Sequence, residues 1–318
     1  MTSLWSEIQP NSKKQSLMDI DGTGLSVPVT LIGGRAPGSR VLVTTGLHGS
    51  EFPATAAVME LTQALEPDSV SGRLILIHPF NTQAFRARVS MILPEDGQNI
   101  NRMFPGDPRG QASARAAWWL TRLSDEADFY LDLHSGDLYE DLTPYAYYPG
   151  NAAREVVEKS KKAALVLDLP YLVKSSASTG AYNSAALRGT PALLIERGGA
   201  GRCSRPDIDA YKKDLVNVFK HLRVLPGEPE PVGCPLEMER VVYLESEGEA
   251  SWLAEVSPGQ RLAKGQVLGR VMDFFGRVIR EYRAEMDGIV LYQLQALSTN
   301  RGDVLVAYGA PRPTVDAA

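Results

Sequence analysis

The sequence is poor in the residues that build disulfide frameworks and membrane spans. Only two cysteines, Cys203 and Cys234, occur among its 318 residues. They are too few and too isolated for a disulfide framework or a thiolate zinc site, and we expect two buried or half-buried thiols. No apolar stretch approaches the roughly 20 residues that a membrane span requires, and the polar segment 1–14 lacks the apolar core of a secretion signal. These absences indicate a cytoplasmic protein that does not act in a membrane.

Positive charge is also scarce. The chain has 33 lysines and arginines against 38 aspartates and glutamates, which gives a formal net charge of −5. Proteins that bind nucleic acid or a membrane surface through bulk charge are basic. We therefore expect neither nucleic acid nor a membrane surface as a partner.

Four short apolar runs alternate with helical patterns along the first two thirds of the chain. The runs are residues 41–43, 74–77, 129–133 and 192–195. The helical patterns cover residues 54–65, 112–123, 152–165 and 207–222. Polar and apolar residues alternate along 26–32, and this segment lies between two glycine-rich turns. Such a pattern is typical of an edge strand or hairpin. This order predicts an α/β fold with a mixed, largely parallel sheet flanked by helices.

The pattern changes after a linker rich in proline and glycine at residues 226–231. Short strand-like segments divided by Pro-Gly, Lys-Gly and Asp-Gly turns predict a small all-β domain, a sandwich or barrel. We therefore predict an α/β domain at 1–225 and a β domain at 226–318. The second resembles the lipoyl/biotinyl-type barrel, but its one lysine, Lys264, lies in a turn and not between methionines. A carrier role is thus disfavoured, and we expect a structural role or homo-oligomer formation.

Polar residues with metal-binding chemistry follow these runs, at the positions where sites form in parallel sheets. His48 and Glu51 lie three residues apart on the loop between the first run and a helix, where both side chains can converge on one zinc ion. The alternative is an ordinary loop whose histidine caps the backbone. His134 follows the third run and completes a set of two histidines and one carboxylate, which leaves a fourth position for water. Zinc lowers the pKa of such a water to roughly 7. Asp132 could orient His134, or it could point elsewhere on the strand.

Glu196 ends the fourth run, where an unpaired carboxylate would be costly. It is either a general acid/base at the metal or one half of an ion pair with Arg197 or another arginine, and the sequence alone favours neither. The long segment 78–108, which has no periodicity, carries several arginines. Such a segment in a compact domain is usually functional, and arginine suits the recognition of a carboxylate.

Four motifs occur together and in order along residues 40–200. They are Gly-Leu-His-Gly-Ser-Glu (46–51), Asn-Ile-Asn-Arg-Met-Phe-Pro-Gly (99–106), Asp-Leu-His-Ser-Gly (132–136) and Ile-Glu-Arg-Gly-Gly (195–199). In this combination the chain resembles the succinylglutamate desuccinylase/aspartoacylase family, which is related to zinc carboxypeptidases. The trailing β segment is similar to the C-terminal part of that family.

The resemblance implies roles for particular residues. It implies one zinc ion per chain, held by His48, Glu51 and His134. It implies Glu196 as general base, and Asn101 and Arg102, with Asn99 beside them, as the residues that bind the substrate.

Two positions depart from the family pattern. Asn99 stands where many relatives have aspartate. The arginine expected six residues after Ala84 falls at Ser90, so we assign polarisation of the substrate carbonyl to Arg88, with Arg86 as the alternative.

These observations predict a zinc-dependent hydrolase that removes the acyl group from an N-acylated amino acid or a similar small carboxylate. The same residues would serve a metallocarboxypeptidase acting on a short or modified peptide, and a β domain that closes the pocket would favour the smaller substrate. A non-catalytic zinc-binding scaffold is the alternative of another class. Serine hydrolase chemistry is not indicated, because no Gly-x-Ser-x-Gly motif is present. Side-chain selectivity would be determined by the loops 135–150 and 174–189.

Overall fold

The computed structural model describes residues 3–312, which form seven α-helices and seventeen β-strands. The helices are α1 (Leu4–Glu7), α2 (Phe52–Ala64), α3 (Thr82–Ala87), α4 (Ala112–Asp125), α5 (Arg154–Ala164), α6 (Ala181–Leu187) and α7 (Arg205–His221). The strands before the predicted linker are β1 (Ser12–Ile20), β2 (Leu25–Gly33), β3 (Ala36–Thr45), β4 (Ser71–Ile77), β5 (Phe129–His134), β6 (Glu140–Leu142), β7 (Tyr145–Pro149), β8 (Tyr171–Ser175) and β9 (Ala192–Glu196). Those after it are β10 (Leu236–Glu245), β11 (Ala250–Ala254), β12 (Arg261–Leu262), β13 (Val267–Met272), β14 (Val278–Arg283), β15 (Gly288–Leu294), β16 (Ser298–Thr299) and β17 (Val304–Pro311).

One large mixed sheet organises the chain. Its strands follow the order β1-β2-β4-β3-β5-β9-β7-β8-β10-β17-β15-β12, and β6 pairs with β15. The four central strands β4, β3, β5 and β9 are parallel to one another. Their carboxyl ends therefore lie at one edge of the sheet, where the loop after β3 and the last residues of β5 and β9 come together.

Helices cover both faces of this sheet, because successive residues of each central strand point to opposite sides. On one side, Leu42 and Tyr130 pack with α4, α6 and the N-terminal Trp5 in one apolar cluster. On the other side, Val41 and Val43 pack with α2, α5 and α7 in a second cluster. Strands buried on both faces read as continuous apolar runs, which is why the sequence predicted them.

The predicted fold class is confirmed, and the predicted helices agree with α2, α4, α5 and α7 to within two residues at each end. Ser204 caps the N-terminus of α7, since its hydroxyl accepts a hydrogen bond from the backbone N–H of Asp207. The segment 78–108 is more ordered than predicted, because it contains α3 and a 3₁₀ turn at Ile100–Arg102. The segment predicted at 26–32 as an edge strand or hairpin is β2, which forms an antiparallel hairpin with β1, and β1 is the edge strand.

The C-terminal strands form two groups. Strands β14, β13, β11 and β16 make a separate four-stranded antiparallel sheet that packs around Trp252. By contrast, β10, β17, β15 and β12 continue the main sheet, since β10 pairs in parallel with β8. The predicted division at 225/226 thus crosses a continuous sheet, and it stays a prediction.

Two further expectations concern the surface. Cys203 and Cys234 are both exposed and unbonded, so the prediction of buried or half-buried thiols was wrong. Each cysteine lies in a segment that joins regular elements, where no apolar face requires burial. Within residues 3–312, none of the helices has the length and apolar character needed to cross a membrane.

Candidate active site

The loop between β3 and α2 is shaped by two glycines. Gly46 has a φ of +63°, a conformation that side chains other than glycine rarely adopt. A Cβ atom at Gly49 would lie 2.2 Å from the backbone carbon of Ala84 in α3, so only glycine allows this close approach. The loop consequently folds back sharply and places His48 and Glu51 side by side at the edge of the sheet.

His48, Glu51 and His134 converge on one point. Nδ1 of His48 lies 2.6 Å from Oε1 of Glu51, and Nδ1 of His134 lies 3.0 Å from Oε2 of the same carboxylate. All three residues are buried, and their potential ligand atoms lie within 4.8 Å of one another. Oε2 of Glu51 nevertheless makes no hydrogen bond within the described residues. Two imidazole nitrogens and a carboxylate oxygen facing each other in this way fit a tetrahedral Zn²⁺ with one open position.

The three groups also interact strongly as charges. Burial alone would raise the pKa of Glu51, but the neighbouring His134 and His48 outweigh burial and lower this pKa to about 2. Burial likewise opposes protonation of His134, yet Asp132 and Glu51 raise its pKa well above the ordinary value. The pocket thus keeps the Glu51 carboxylate ionised and favours a positive charge beside it.

A second layer of polar residues holds the two rings. Oδ1 of Asp132 lies 3.2 Å from Nε2 of His134 and accepts a hydrogen bond of 3.0 Å from the Thr44 hydroxyl. Oδ1 of Asn99 lies 3.3 Å from Nε2 of His48 and accepts a hydrogen bond from the backbone of Asn101. The ring nitrogens that point away from Glu51 therefore both face an oxygen, as in metal sites whose outer contacts fix the histidine tautomer.

Glu196 lies directly opposite His134 in the register between β9 and β5. Its Oε2 atom is buried without a hydrogen-bond partner in the described part of the chain, and burial raises its pKa well above the ordinary value. Arg197 does not neutralise it, because that guanidinium pairs with Asp214 at 2.7 Å on the other side of the strand end. The ion pair with Arg197 that the sequence left open is therefore not formed.

A cavity of about 470 Å³ opens onto these residues. Its lining includes His48, Glu51, His134 and Glu196, together with residues of the C-terminal strands. The C-terminal contributors are Tyr243, Glu245, Tyr292 and Val304. A larger groove of about 1020 Å³ lies elsewhere and contains none of the predicted site residues. The smaller cavity has the size typical of a pocket for a small molecule.

Asn101 and Arg102 both line this cavity. The buried Asn101 accepts a hydrogen bond of 2.9 Å from the backbone N–H of Ala181, which fixes it against the start of α6. Arg102 is exposed to the cavity, and it is the one lysine or arginine among the lining residues described. Asn99 contacts His48 rather than lining the cavity, so its position suits support of the ring better than contact with a substrate.

Arg86 and Arg88 lie elsewhere. Both side chains are exposed at the end of α3, and neither belongs to the residues that line the cavity. Ser90, at the position where the family pattern has arginine, donates a hydrogen bond to Asp137, which does line the cavity. In this conformation neither arginine lies where it could contact the carbonyl of a substrate in the cavity. The predicted role of Arg88 or Arg86 stays a prediction.

Sequence reasoning missed an aromatic wall made by five tyrosines. They are Tyr145, Tyr147, Tyr182, Tyr243 and Tyr292. The hydroxyls of Tyr147 and Tyr243 lie 2.9 Å apart and join the two halves of the chain beside the cavity. Loops 135–150 and 174–189 contribute to the lining of the cavity, as expected. The two C-terminal tyrosines were missed because no sequence motif places them near His48.

Comparison with known proteins reveals extensive similarity. Residues 37–222 match the succinylglutamate desuccinylase/aspartoacylase catalytic domain. Over 291 residues the chain is 31% identical to the N-alpha-acetyl-L-2,4-diaminobutyric acid deacetylase of Halomonas elongata, an alignment that covers 88% of this chain and 84% of the relative. The product-bound ectoine utilization protein EutE (DoeB) of Ruegeria pomeroyi is 28% identical with a TM-score of 0.81, over 95% of this chain and all of the other. A succinylglutamate desuccinylase/aspartoacylase from Rhodobacter sphaeroides is 26% identical with a TM-score of 0.82, over 95% of this chain and 94% of the other.

Proposed function

Because the chain belongs to the succinylglutamate desuccinylase/aspartoacylase family, we propose that it is a zinc-dependent deacylase of a small N-acylated amino acid. The observation that carries this proposal is the buried convergence of His48, Glu51 and His134 at the base of a cavity that also contains Glu196. When bound there, Zn²⁺ would supply a water of lowered pKa and would polarise the amide carbonyl.

Glu196 is the proposed general base. It would accept the proton of the attacking water and deliver it to the leaving amine, as general acid/base catalysis requires. Two observations support this role. The carboxylate has no arginine partner within residues 3–312, and burial raises its pKa towards the range in which proton transfer is efficient.

Asn101 and Arg102 are the proposed binding site for the substrate carboxylate. Arg102 has no ion-pair partner among the described residues and can form charge-assisted hydrogen bonds with a carboxylate. Asn99 would act through His48. Arg86 or Arg88 could polarise the carbonyl only if the segment after α3 rearranged, so the proposal gives that function to the metal.

The size of the cavity and its C-terminal lining favour the deacylase over a carboxypeptidase. Strands β10 and β15 bring Tyr243 and Tyr292 into the lining, and the volume of about 470 Å³ suits one small molecule rather than a peptide chain. The retained zinc-binding and base residues also disfavour a non-catalytic scaffold.

The lining carries more negative than positive charge, which bears on the substrate. Its carboxylates are Glu51, Asp137, Glu140, Glu196 and Glu245, against the single guanidinium of Arg102. A zinc ion would offset part of this excess. Burial raises the pKa values of Glu140 and Glu196, so a cationic group on the substrate would favour their ionised forms. The lining therefore suits an acylated amino acid with a second amino group, such as the Nα-acetyl-L-2,4-diaminobutyric acid named for the relative from Halomonas elongata.

Amine release from Nα-acetyl-L-2,4-diaminobutyrate, from N-acetyl-L-aspartate and from unblocked dipeptides tests this proposal. Each compound is assayed with and without a zinc chelator. We expect chelator-sensitive release from the acetylated compounds only. Glu196→Gln should retain zinc and lose about 10²- to 10⁴-fold in kcat, whereas the control Glu249→Gln removes an exposed carboxylate outside the cavity and should behave like wild type. Release from dipeptides alone, or near-normal turnover by Glu196→Gln, would contradict the proposal.

A further inference from the structure

Glu140 is a cavity carboxylate that the proposed chemistry does not use. It lies at the start of β6, which pairs with β15 and so places Glu140 at the junction between the two halves of the chain. Its side chain is half-buried and lines the cavity. Within residues 3–312 it forms no ion pair, and its side chain makes no hydrogen bond.

The other cavity carboxylates are already engaged or lie at the rim. Both oxygens of Asp137 accept hydrogen bonds, one from the Ser90 hydroxyl and one from the backbone of Tyr139. Glu51 faces the histidines, and Glu245 is exposed at the mouth. Apart from Glu51 and the proposed general base Glu196, Glu140 is therefore the half-buried carboxylate of the described lining whose oxygens can accept hydrogen bonds from a ligand.

The environment of Glu140 disfavours its charge unless a cation is present. Burial and the like charges of Asp137 and Glu51 raise the pKa of Glu140 to about 8, and Arg102 opposes this only in part. A carboxylate held in such surroundings binds an ammonium group well, because the ligand supplies the missing countercharge. A second unused polar group lies nearby in the lining: the buried hydroxyl of Ser135 has no hydrogen-bond partner among the described residues.

We propose that Glu140 recognises the side-chain ammonium group of the substrate and determines the preference for a cationic over a neutral side chain. The inference rests on the proposed deacylase function and assigns a residue to its selectivity. Arg102 and Glu140 are not paired with each other, so the cavity presents one guanidinium and one carboxylate to a ligand with a carboxylate and an ammonium group. Tyr243 and Tyr292 line the same cavity.

Two substrates of equal shape test this assignment. Nα-acetyl-L-norvaline replaces the ammonium of Nα-acetyl-L-2,4-diaminobutyrate by a methyl group, so the ratio of their kcat/KM values isolates the charge. We expect Glu140→Gln to lower kcat/KM for the diamino substrate by about 10- to 100-fold, mainly through KM, as loss of a charged hydrogen bond predicts. The norvaline substrate should be unaffected or improved. Glu140→Asp should recover part of the ratio, and Glu249→Gln should leave it unchanged.

Binding of the products separates this inference from the proposed function. Calorimetric titration of the zinc-loaded protein with L-2,4-diaminobutyrate and L-norvaline requires no turnover. If the wild type binds the diamino acid more tightly and Glu140→Gln loses this preference, the role of Glu140 is supported, whether or not any acetylated compound is hydrolysed. Absence of hydrolysis would overturn only the proposed deacylase function. Equal affinity for the two products, or a preference that Glu140→Gln retains, overturns the role of Glu140.

Discussion

The buried ion pair between Arg197 and Asp214 holds the strand end that carries Glu196. Nη2 of Arg197 lies 2.7 Å from Oδ2 of Asp214 and donates a second hydrogen bond, of 2.9 Å, to the carbonyl of Asp168. Oδ1 of Asp214 accepts a hydrogen bond of 2.7 Å from the backbone N–H of Asp168. Asp214 is fully buried and Arg197 nearly so.

These contacts predict that one substitution is worse than two. Asp214→Leu leaves the guanidinium buried without its countercharge and should cost about 3–5 kcal/mol of unfolding free energy. Burial raises the pKa of Asp214 even with Arg197 beside it, so desolvation outweighs their attraction. Replacing both charges, as in Arg197→Met with Asp214→Leu, should therefore lower the free energy of unfolding by only about 1–3 kcal/mol. This remaining cost arises because the backbone amide of Asp168 loses its hydrogen-bond acceptor.

Urea denaturation of the wild type, both single variants and the double variant at pH 7 measures these free energies in one cycle. The exposed pair of Arg154 and Glu158 on α5, also 2.7 Å apart, provides a control in which the same removal of charge should change stability little. Single variants within about 1 kcal/mol of wild type would refute the reasoning. A double variant less stable than either single variant would refute it as well.

Three further predictions concern the metal site, the surface charges and the loop after β3. Asp132→Asn should weaken zinc binding about 10- to 100-fold, since outer contacts of this kind orient the ligating histidine; competition with a fluorescent chelator measures this, and unchanged affinity would contradict it. Hydrogen bonds from the exposed Arg205 and a neighbouring lysine lower the pKa of Glu60 to about 2, below its value of 4.5 in an unfolded chain. The stabilisation that Glu60 provides is therefore complete above about pH 4.5 and is lost as the pH falls towards 2. The difference in unfolding free energy between wild type and Glu60→Gln should accordingly become smaller on acidification, and a difference that becomes larger would contradict the prediction. Gly49→Ala should destabilise the protein by about 1–3 kcal/mol and weaken zinc binding, while Gly233→Ala, where a Cβ meets nothing within 4 Å, should do neither.

The central sheet and the convergence of His48, Glu51 and His134 were predictable because local signals specify them. Strands buried on both faces, such as the one before His48, read as apolar runs, and their parallel order puts the residues that follow them at one edge. His48 and Glu51 are three residues apart, and His134 ends the neighbouring strand. Proximity along the chain and alignment in the sheet therefore both pointed to the same place.

The rest of the cavity depends on contacts between residues that lie far apart in the sequence. Tyr292 reaches the cavity only because β15 pairs with β6, and β6 has three residues and no periodic pattern. Strand β10, which carries Tyr243, is exposed or half-buried along most of its length, and it was not predicted. The placement of Arg86 and Arg88 depends on how the chain leaves α3, where Arg88 has a φ of +54° that sequence patterns do not specify.

The pairing of β10 with β8 and of β15 with β6 has a consequence for substrate size. If flexible linkers joined the C-terminal strands to the rest of the chain, these strands could move outwards, and activity would fall gradually as the acyl chain of the substrate became longer. Here β10 and β15 are joined to β8 and β6 by ladders of backbone hydrogen bonds, and moving them outwards would break several of these bonds at once. The cavity should therefore have a fixed size, and activity against a series of acyl groups should fall abruptly at one chain length.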